Sequence, residues 1–392
     1  MINPLTDPRL ANNRSLIAAI CCAAVCGTAF GLSMPLVSLR LEAMTSSGLI
    51  VGLNGAAAAL STLVMAPIVP RLLSYMPGCV LIAISPASAR LMHALFPIFE
   101  NVPAWFVLRF TMGCFMTVTF VVSETWINQI ATPLRRATIL GIYGTVLAGG
   151  FGVGAFLFGQ VGTSGDSGFY VGALIFLAGL VPVVLLQGPP AMAPGKDEAS
   201  SGAIMSAARL APAAIGAGLA FGALETVLFS LAPVYGDRLA LDDHGIALIA
   251  MAAAVGALVF QIPLGWIADK TDRRETLKWI ATIATLTPLA IWAVGSYLPG
   301  MMALFFIQAG VASGLYTVGL ALVGERFTGG AIAAANAAFI FAYGTGSLFG
   351  PPVSGVAMDG LGPYGLMIVM SGIAGLYAAL VWRRASQTAG ES

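Results

Sequence analysis

Twelve stretches of this chain, each about 20 residues or longer, are almost free of charge. A run of that length is what a helix needs to cross the hydrocarbon core of a bilayer, roughly 20 residues at 1.5 Å each. In lipid every backbone N–H and C=O must find a partner within the protein. Only helices and closed barrels meet that demand. These runs are too long and too continuously apolar for barrel strands. The expected fold class is an all-α membrane protein with twelve transmembrane helices. The spans lie at roughly 15–39, 48–70, 78–98, 103–126, 134–160, 168–187, 208–234, 244–267, 276–297, 300–323, 331–356 and 362–382, to within about 2–4 residues.

Composition agrees. Charged residues make up 9% of the chain and hydrophobic ones 58%, against about 25% and about 45–50% in a soluble domain. So few charges cannot cover a water-facing surface. The net charge of +1 gives no reason to expect nucleic acid. The five cysteines, Cys21, Cys22, Cys26, Cys79 and Cys114, sit in or beside apolar runs, where they pack as small apolar residues rather than build disulfides. The first 14 residues are polar, and no A-x-A cleavage site ends the first run, so that run is read as a retained helix.

Lys and Arg set the orientation, because cytoplasmic segments carry the excess of them. With the N-terminus inside, 14 of the 18 basic residues fall in inner segments, from Arg9 to Arg384. Only Arg40 and Arg238 fall outside, and Arg90 and Arg109 lie within spans. Both termini are therefore expected in the cytoplasm. The longest polar break, "QGPPAMAPGKDEASSGA" from Gln187 to Ala203, reads as a linker. It divides the chain into an N-terminal six-helix bundle (1–187), a cytoplasmic linker (188–207) and a C-terminal six-helix bundle (208–392). The halves echo each other. "IYGT" at Ile142 returns as "AYGT" at Ala342, "TAFGL" in span 1 as "LAFGA" in span 7, and "SETW" in span 4 as "VGER" in span 10. Parallel repeats of this kind, with a site between them at mid-membrane, mark secondary transporters.

The charge-poor chain crowds ionic residues into "GWIADKTDRRETL", between spans 8 and 9. This stretch resembles the cytoplasmic signature of the major facilitator superfamily, G-x-x-x-D-[RK]-x-G-R-[RK]. Gly265, Asp269, Lys270, Arg273 and Arg274 fill its positions, and Asp272 stands where the signature has Gly. "LRFTMG" in span 4 is similar to the family's R-x-x-x-G element, with Arg109 and Gly113. "LRLEA", "SETWIN" and "FAYGTGSLFGPPVSG" resemble the YcaD-like bacterial branch. The resemblance implies two pseudo-symmetric six-helix bundles, the bacterial inner membrane, and alternating access. It also implies a cytoplasmic gate in which Asp269 meets the N-terminus of span 5. That helix end favours an anion by about 0.3–2 kcal/mol. Arg273 and Arg274 are expected to pair with Glu325. In the first half the corresponding loop has Arg71 in place of the Asp; Arg71, or Arg135 and Arg136, then either pair with Glu124 or stand solvated at the surface.

Charges inside a bilayer are costly and point to function. Glu225 falls near the middle of span 7, where the ionised form of a carboxyl is expensive; it either serves proton or substrate coupling, or pairs permanently with a neighbour and only fixes structure. Arg109, in span 4, keeps its charge and suits a substrate anion, or packs by bonding neighbouring carbonyls. Arg90 and His93, in span 3, are weaker candidates, since that span is peripheral in the family. Arg40 and Glu42, at the outer end of span 1, are candidates for a periplasmic gate, paired with each other or across to the second half. Asn54, Gln261, Gln308, Tyr316 and Asn336 either contact substrate in the cavity or bond a neighbouring helix. Pro351 and Pro352 would soften span 11.

No Walker loop is present, so ATP does not energise this chain, and no cofactor is expected. Two histidines placed far apart argue against an intramembrane enzyme. The expected function is a secondary active transporter, coupled to protons through Glu225 and working as a monomer on a small-molecule substrate. The alternatives are multidrug or metabolite efflux by proton antiport, and a lipid scramblase or sensor that moves no solute.

Overall fold

The computed structural model describes residues 8–130, 133–185, 209–327 and 330–389, and the linker expected at 188–207 lies outside them. Among the described residues the regular structure is helical throughout. The helices are α1 (Pro8–Thr45), α2 (Gly48–Met65), α3 (Val69–Tyr75), α4 (Gly78–Leu95), α5 (Val102–Ile130), α6 (Pro133–Val161), α7 (Ser167–Ala178) and α8 (Leu180–Leu185). They continue as α9 (Pro212–Arg238), α10 (Asp243–Lys270), α11 (Arg273–Val294), α12 (Leu298–Arg326), α13 (Gly330–Leu361) and α14 (Gly365–Ala389). Ten helices among the described residues are long and apolar enough to cross a membrane.

All twelve expected spans have a helical counterpart. Two are shaped differently from the expectation. Span 2 ends at Met65, and the chain turns before the short α3. Span 6 is broken at Gly179 into α7 and α8. Pro351 and Pro352 lie inside α13, which runs on through both. Helix starts follow local chemistry. Asp242 caps α10 by accepting from the N–H of Gly245 at 2.8 Å, and Asp272 caps α11 by accepting from the N–H of Arg274 at 2.7 Å. That cap accounts for the Asp standing where the family signature has Gly.

The chain divides into two compact units, residues 1–37 with 57–196, and residues 38–56 with 197–392. In the first unit α4 packs on α5 and α7. Val69, Leu81, Ile82, Val122 and Trp126 form one of its cores. In the second unit α9 lies along α13, α10 along α12, and α11 against α12 and α14.

Glycine lets one helix pair in each unit approach to backbone contact. In the first unit a Cβ on Gly27 or Gly31 would strike the carbonyl of Leu147 or Phe151 on α6. In the second, a Cβ on Gly218 would crowd the carbonyl of Phe339 at 2.9 Å, and one on Gly222 would strike that of Tyr343 on α13. The crossings match residue for residue. Gly154 faces Thr28 in one, and Gly346 faces Leu219 in the other. This packing sets Phe151, not Tyr143, in the place of Tyr343. The "IYGT" and "AYGT" echo is therefore displaced by about two helical turns. Tyr143 instead packs with Ala19, Ala23 and Ile127.

Candidate functional site

The α9–α13 crossing carries the intramembrane carboxylate singled out from the sequence. Gly222 brings α13 close, and one turn on, Glu225 Oε2 accepts a hydrogen bond of 2.7 Å from the hydroxyl of Tyr343. A hydrogen bond to a charged group contributes about 1.5–3 kcal/mol, and more turns on it where water is scarce. Phe221 lies against Tyr343 with ring centroids 5.6 Å apart, and against Tyr316 at 5.3 Å. Tyr316 also meets Phe339 edge-on at 5.5 Å. Ser347, one turn along α13, donates to the carbonyl of Gly222 at 3.1 Å. Glu225 thus sits half-buried beside an aromatic wall, with one phenol aimed at it. The arrangement can hold a proton or release it while the phenol keeps its place. Tyr343 was not singled out from the sequence. Its echo with Tyr143 drew attention to the repeat rather than to the partner of Glu225.

At the C-terminal end of α9 an ion cluster ties three helices of the second unit. Arg238 bonds Glu42 Oε1 at 2.8 Å and Asp359 Oδ1 at 2.9 Å, and donates to the carbonyl of Met358 at 2.9 Å. Asp359 in turn accepts from the N–H groups of Gly48 and Leu49 at 2.6 and 3.0 Å, and from Ser47 Oγ at 2.9 Å. It therefore caps α2 from another helix and places a negative charge at that helix's positive end. Gly355 and Gly52 allow α2 and α13 to touch backbone to backbone beside it. Glu42 pairs across to Arg238. Arg238 was read only for its bearing on orientation and Asp359 not at all, because both sit at span ends, where charges are commonplace.

A second cluster occupies the opposite end of this unit. Arg273 bridges Asp269 Oδ1 and Glu325 Oε2, both at 3.2 Å. Asp269 is 70% exposed and Glu325 58%, so each pair contributes only about 0–1 kcal/mol. Such a cluster is easily broken. Arg274 enters through its backbone N–H to Asp272, and Lys270 stands 3.9 Å over the ring of Trp266. A Cβ on Gly265 would sit 3.7 Å from Thr317, in ordinary contact. Thr132, just before the N-terminus of span 5, and the side chains of Arg135 and Arg136 lie outside the described residues.

The other candidates are dispersed. Asn54 and Gln308 are buried, Tyr316 and Asn336 are half-buried, and Gln261 is exposed. Both amide atoms of Gln308 are buried without a hydrogen-bond partner among the described residues. Arg40 is half-buried, and Glu124 stands exposed on α5 within electrostatic reach of Tyr143. Arg90 is exposed, whereas His93 is fully buried and Arg109 is 2% exposed.

Comparison with known proteins follows the same lines. The family model described as Major Facilitator Superfamily matches residues 16–242 and 213–391. The chain is 26% identical over 341 residues to YfkF of Bacillus subtilis, an uncharacterised MFS-type transporter, covering 86% of each chain. It is 24% identical over 285 residues to YcaD of Shigella flexneri, another uncharacterised MFS-type transporter, covering 73% of each. Among solved structures, the nucleoside transporter NupG superposes with a TM-score of 0.76 at 12% identity, over 95% of this chain and 98% of that one. A bacterial homologue of the human lysosomal transporter Spinster gives 0.72 at 13% identity, over 95% of each. Identities this low speak for the fold alone. With the family model spanning nearly its whole length, the chain belongs to the Major Facilitator Superfamily, as a multi-pass membrane transporter and not an enzyme.

Proposed function

We propose that this transporter moves a small solute across the bacterial inner membrane by alternating access, driven by protons carried on Glu225. The supporting observation is the 2.7 Å hydrogen bond from Tyr343 to Glu225 at the glycine crossing of α9 and α13. A carboxyl in that position is costly when ionised and unpaired, and the phenol offsets part of the cost. Proton gain and loss then change what α13 gains from holding α9. Energy can pass from the gradient to helix movement in this way.

The basic-residue bias supports cytoplasmic termini. In that orientation the Glu42–Arg238–Asp359 cluster lies at the outer ends of its helices and forms the outer gate. The exposed Asp269–Arg273–Glu325 cluster lies at the inner ends and acts as the inner clasp. The test uses proteoliposomes and a solute found by thermal-shift screening of amino acids, sugars, organic acids and drugs. Glu225→Gln abolishes proton-driven accumulation and leaves counterflow exchange intact. Undiminished uphill transport by the variant refutes the proposal.

A further inference from the structure

The first unit buries a cation whose Nε and Nη1 find no hydrogen-bond acceptor among the described residues. It is Arg109 on α5, which is 2% exposed. The sequence offered packing against neighbouring carbonyls as an explanation. Those two nitrogens make no such bonds. Within electrostatic reach stands His93 of α4, wholly buried. Its Nε2 lies 3.4 Å from Ser33 Oγ of α1, and its Nδ1 has no partner. The histidine is held firmly. Gly172 leaves it room that a Cβ would fill, and Phe96, Phe169 and Phe176 pack round its ring with centroids 5.7–5.9 Å away. Trp105, one turn before Arg109, closes the same wall against Phe96 at 5.1 Å.

A buried guanidinium without acceptors is among the costliest groups a protein can hold. It does not discharge readily, unlike a lysine. When Ser33 donates to Nε2, the Nδ1 of His93 carries the proton and becomes another donor. Unsatisfied donors on α4 and α5 then stand within electrostatic reach of each other in an apolar part of the first unit, and what they lack is an acceptor with negative charge.

We propose that Arg109, His93 and Ser33 form an occluded binding site for a carboxylate, so that the transported solute is a small organic acid. This rests on the proposed proton-coupled transport. It adds the class of substrate and places its charged end in the first unit. A carboxylate fits better than a bare halide, because a planar guanidinium and an imidazole together present directed N–H groups to oxygen. A proton and a carboxylate carried together would also cross without moving net charge.

The test uses the full chain in nanodiscs with acetate, propionate and benzoate as probes. The matching neutral amides, chloride and inorganic phosphate serve as controls. A saturable rise in melting temperature with at least one carboxylate, and none with its amide, is expected. Arg109→Gln abolishes the rise. His93→Gln weakens apparent affinity about ten-fold, the effect of one lost bond to a charged group. If Arg109→Gln does not fold, Arg109→Lys replaces it and retains weaker, still carboxylate-selective stabilisation. Equal stabilisation by chloride or phosphate overturns the carboxylate assignment. The absence of any anion effect, or an unchanged response in the Arg109 variant that folds, overturns the site. The melting response is read without a proton gradient, so failure of proton coupling and failure of this site are told apart.

Discussion

The α1–α6 crossing and the α9–α13 crossing are built alike and equipped differently. In each, glycines bring two helices to backbone contact, and a phenylalanine of the first helix lies against an aromatic ring of the second. Phe30 stacks on Phe151 at 5.9 Å, and Phe221 meets Tyr343 at 5.6 Å. One turn beyond the phenylalanine the first unit has Met34 and the second has Glu225. Two differences thus travel together. Where methionine becomes glutamate, phenylalanine becomes tyrosine, and the added hydroxyl bonds the added carboxylate. The frame is shared by both units, and the chemistry lies in a matched pair of polar atoms set into one of them.

The comparison breaks most visibly at Glu225. Glu225→Gln brings uphill uptake down to the equilibrium level, whereas Met34→Leu leaves it near wild type, as uptake assays in proteoliposomes will show. Next come the glycines. Gly31→Val and Gly222→Val force side chains against carbonyl oxygens and destabilise by at least about 1–3 kcal/mol each. Thermal unfolding should show similar losses in both units if the crossings are equivalent. Grafting sharpens the case. Met34→Glu alone costs about 2.5–3.5 kcal/mol, as a carboxyl without a partner in the membrane. Adding Phe151→Tyr recovers about 1.5–3 kcal/mol, readable as a double-mutant cycle in melting experiments. The smallest effect is expected at the exposed cluster. Arg273→Gln changes stability by about 0–1 kcal/mol, and its consequence appears in transport rate.

Much of this architecture was legible in the sequence, because lipid imposes long apolar runs. Glu225 stood out for the same reason, as a carboxyl in an apolar run. Its partner did not. Tyr343 differs from Phe151 by one oxygen, and both read as aromatic packing until the crossing sets them in register. The echo at 200 residues even suggested Tyr143, two turns away from the equivalent place. The burial of His93 was not legible, because nothing in the apolar run of span 3 separates it from Arg90 one turn before. Arg90 is exposed, while Gly172 opens the room that draws His93 inside. The Glu42–Arg238–Asp359 cluster joins residues far apart along the chain, and no local pattern announces such a meeting.

The most direct test of the central claim is pH-difference infrared spectroscopy of the purified protein in lipid, following the carboxyl C=O stretch. The account predicts a titrating carboxyl band that disappears in Glu225→Gln and shifts to higher frequency in Tyr343→Phe, where the phenol no longer bonds it. A spectrum in which neither variant alters any titrating carboxyl band would contradict it.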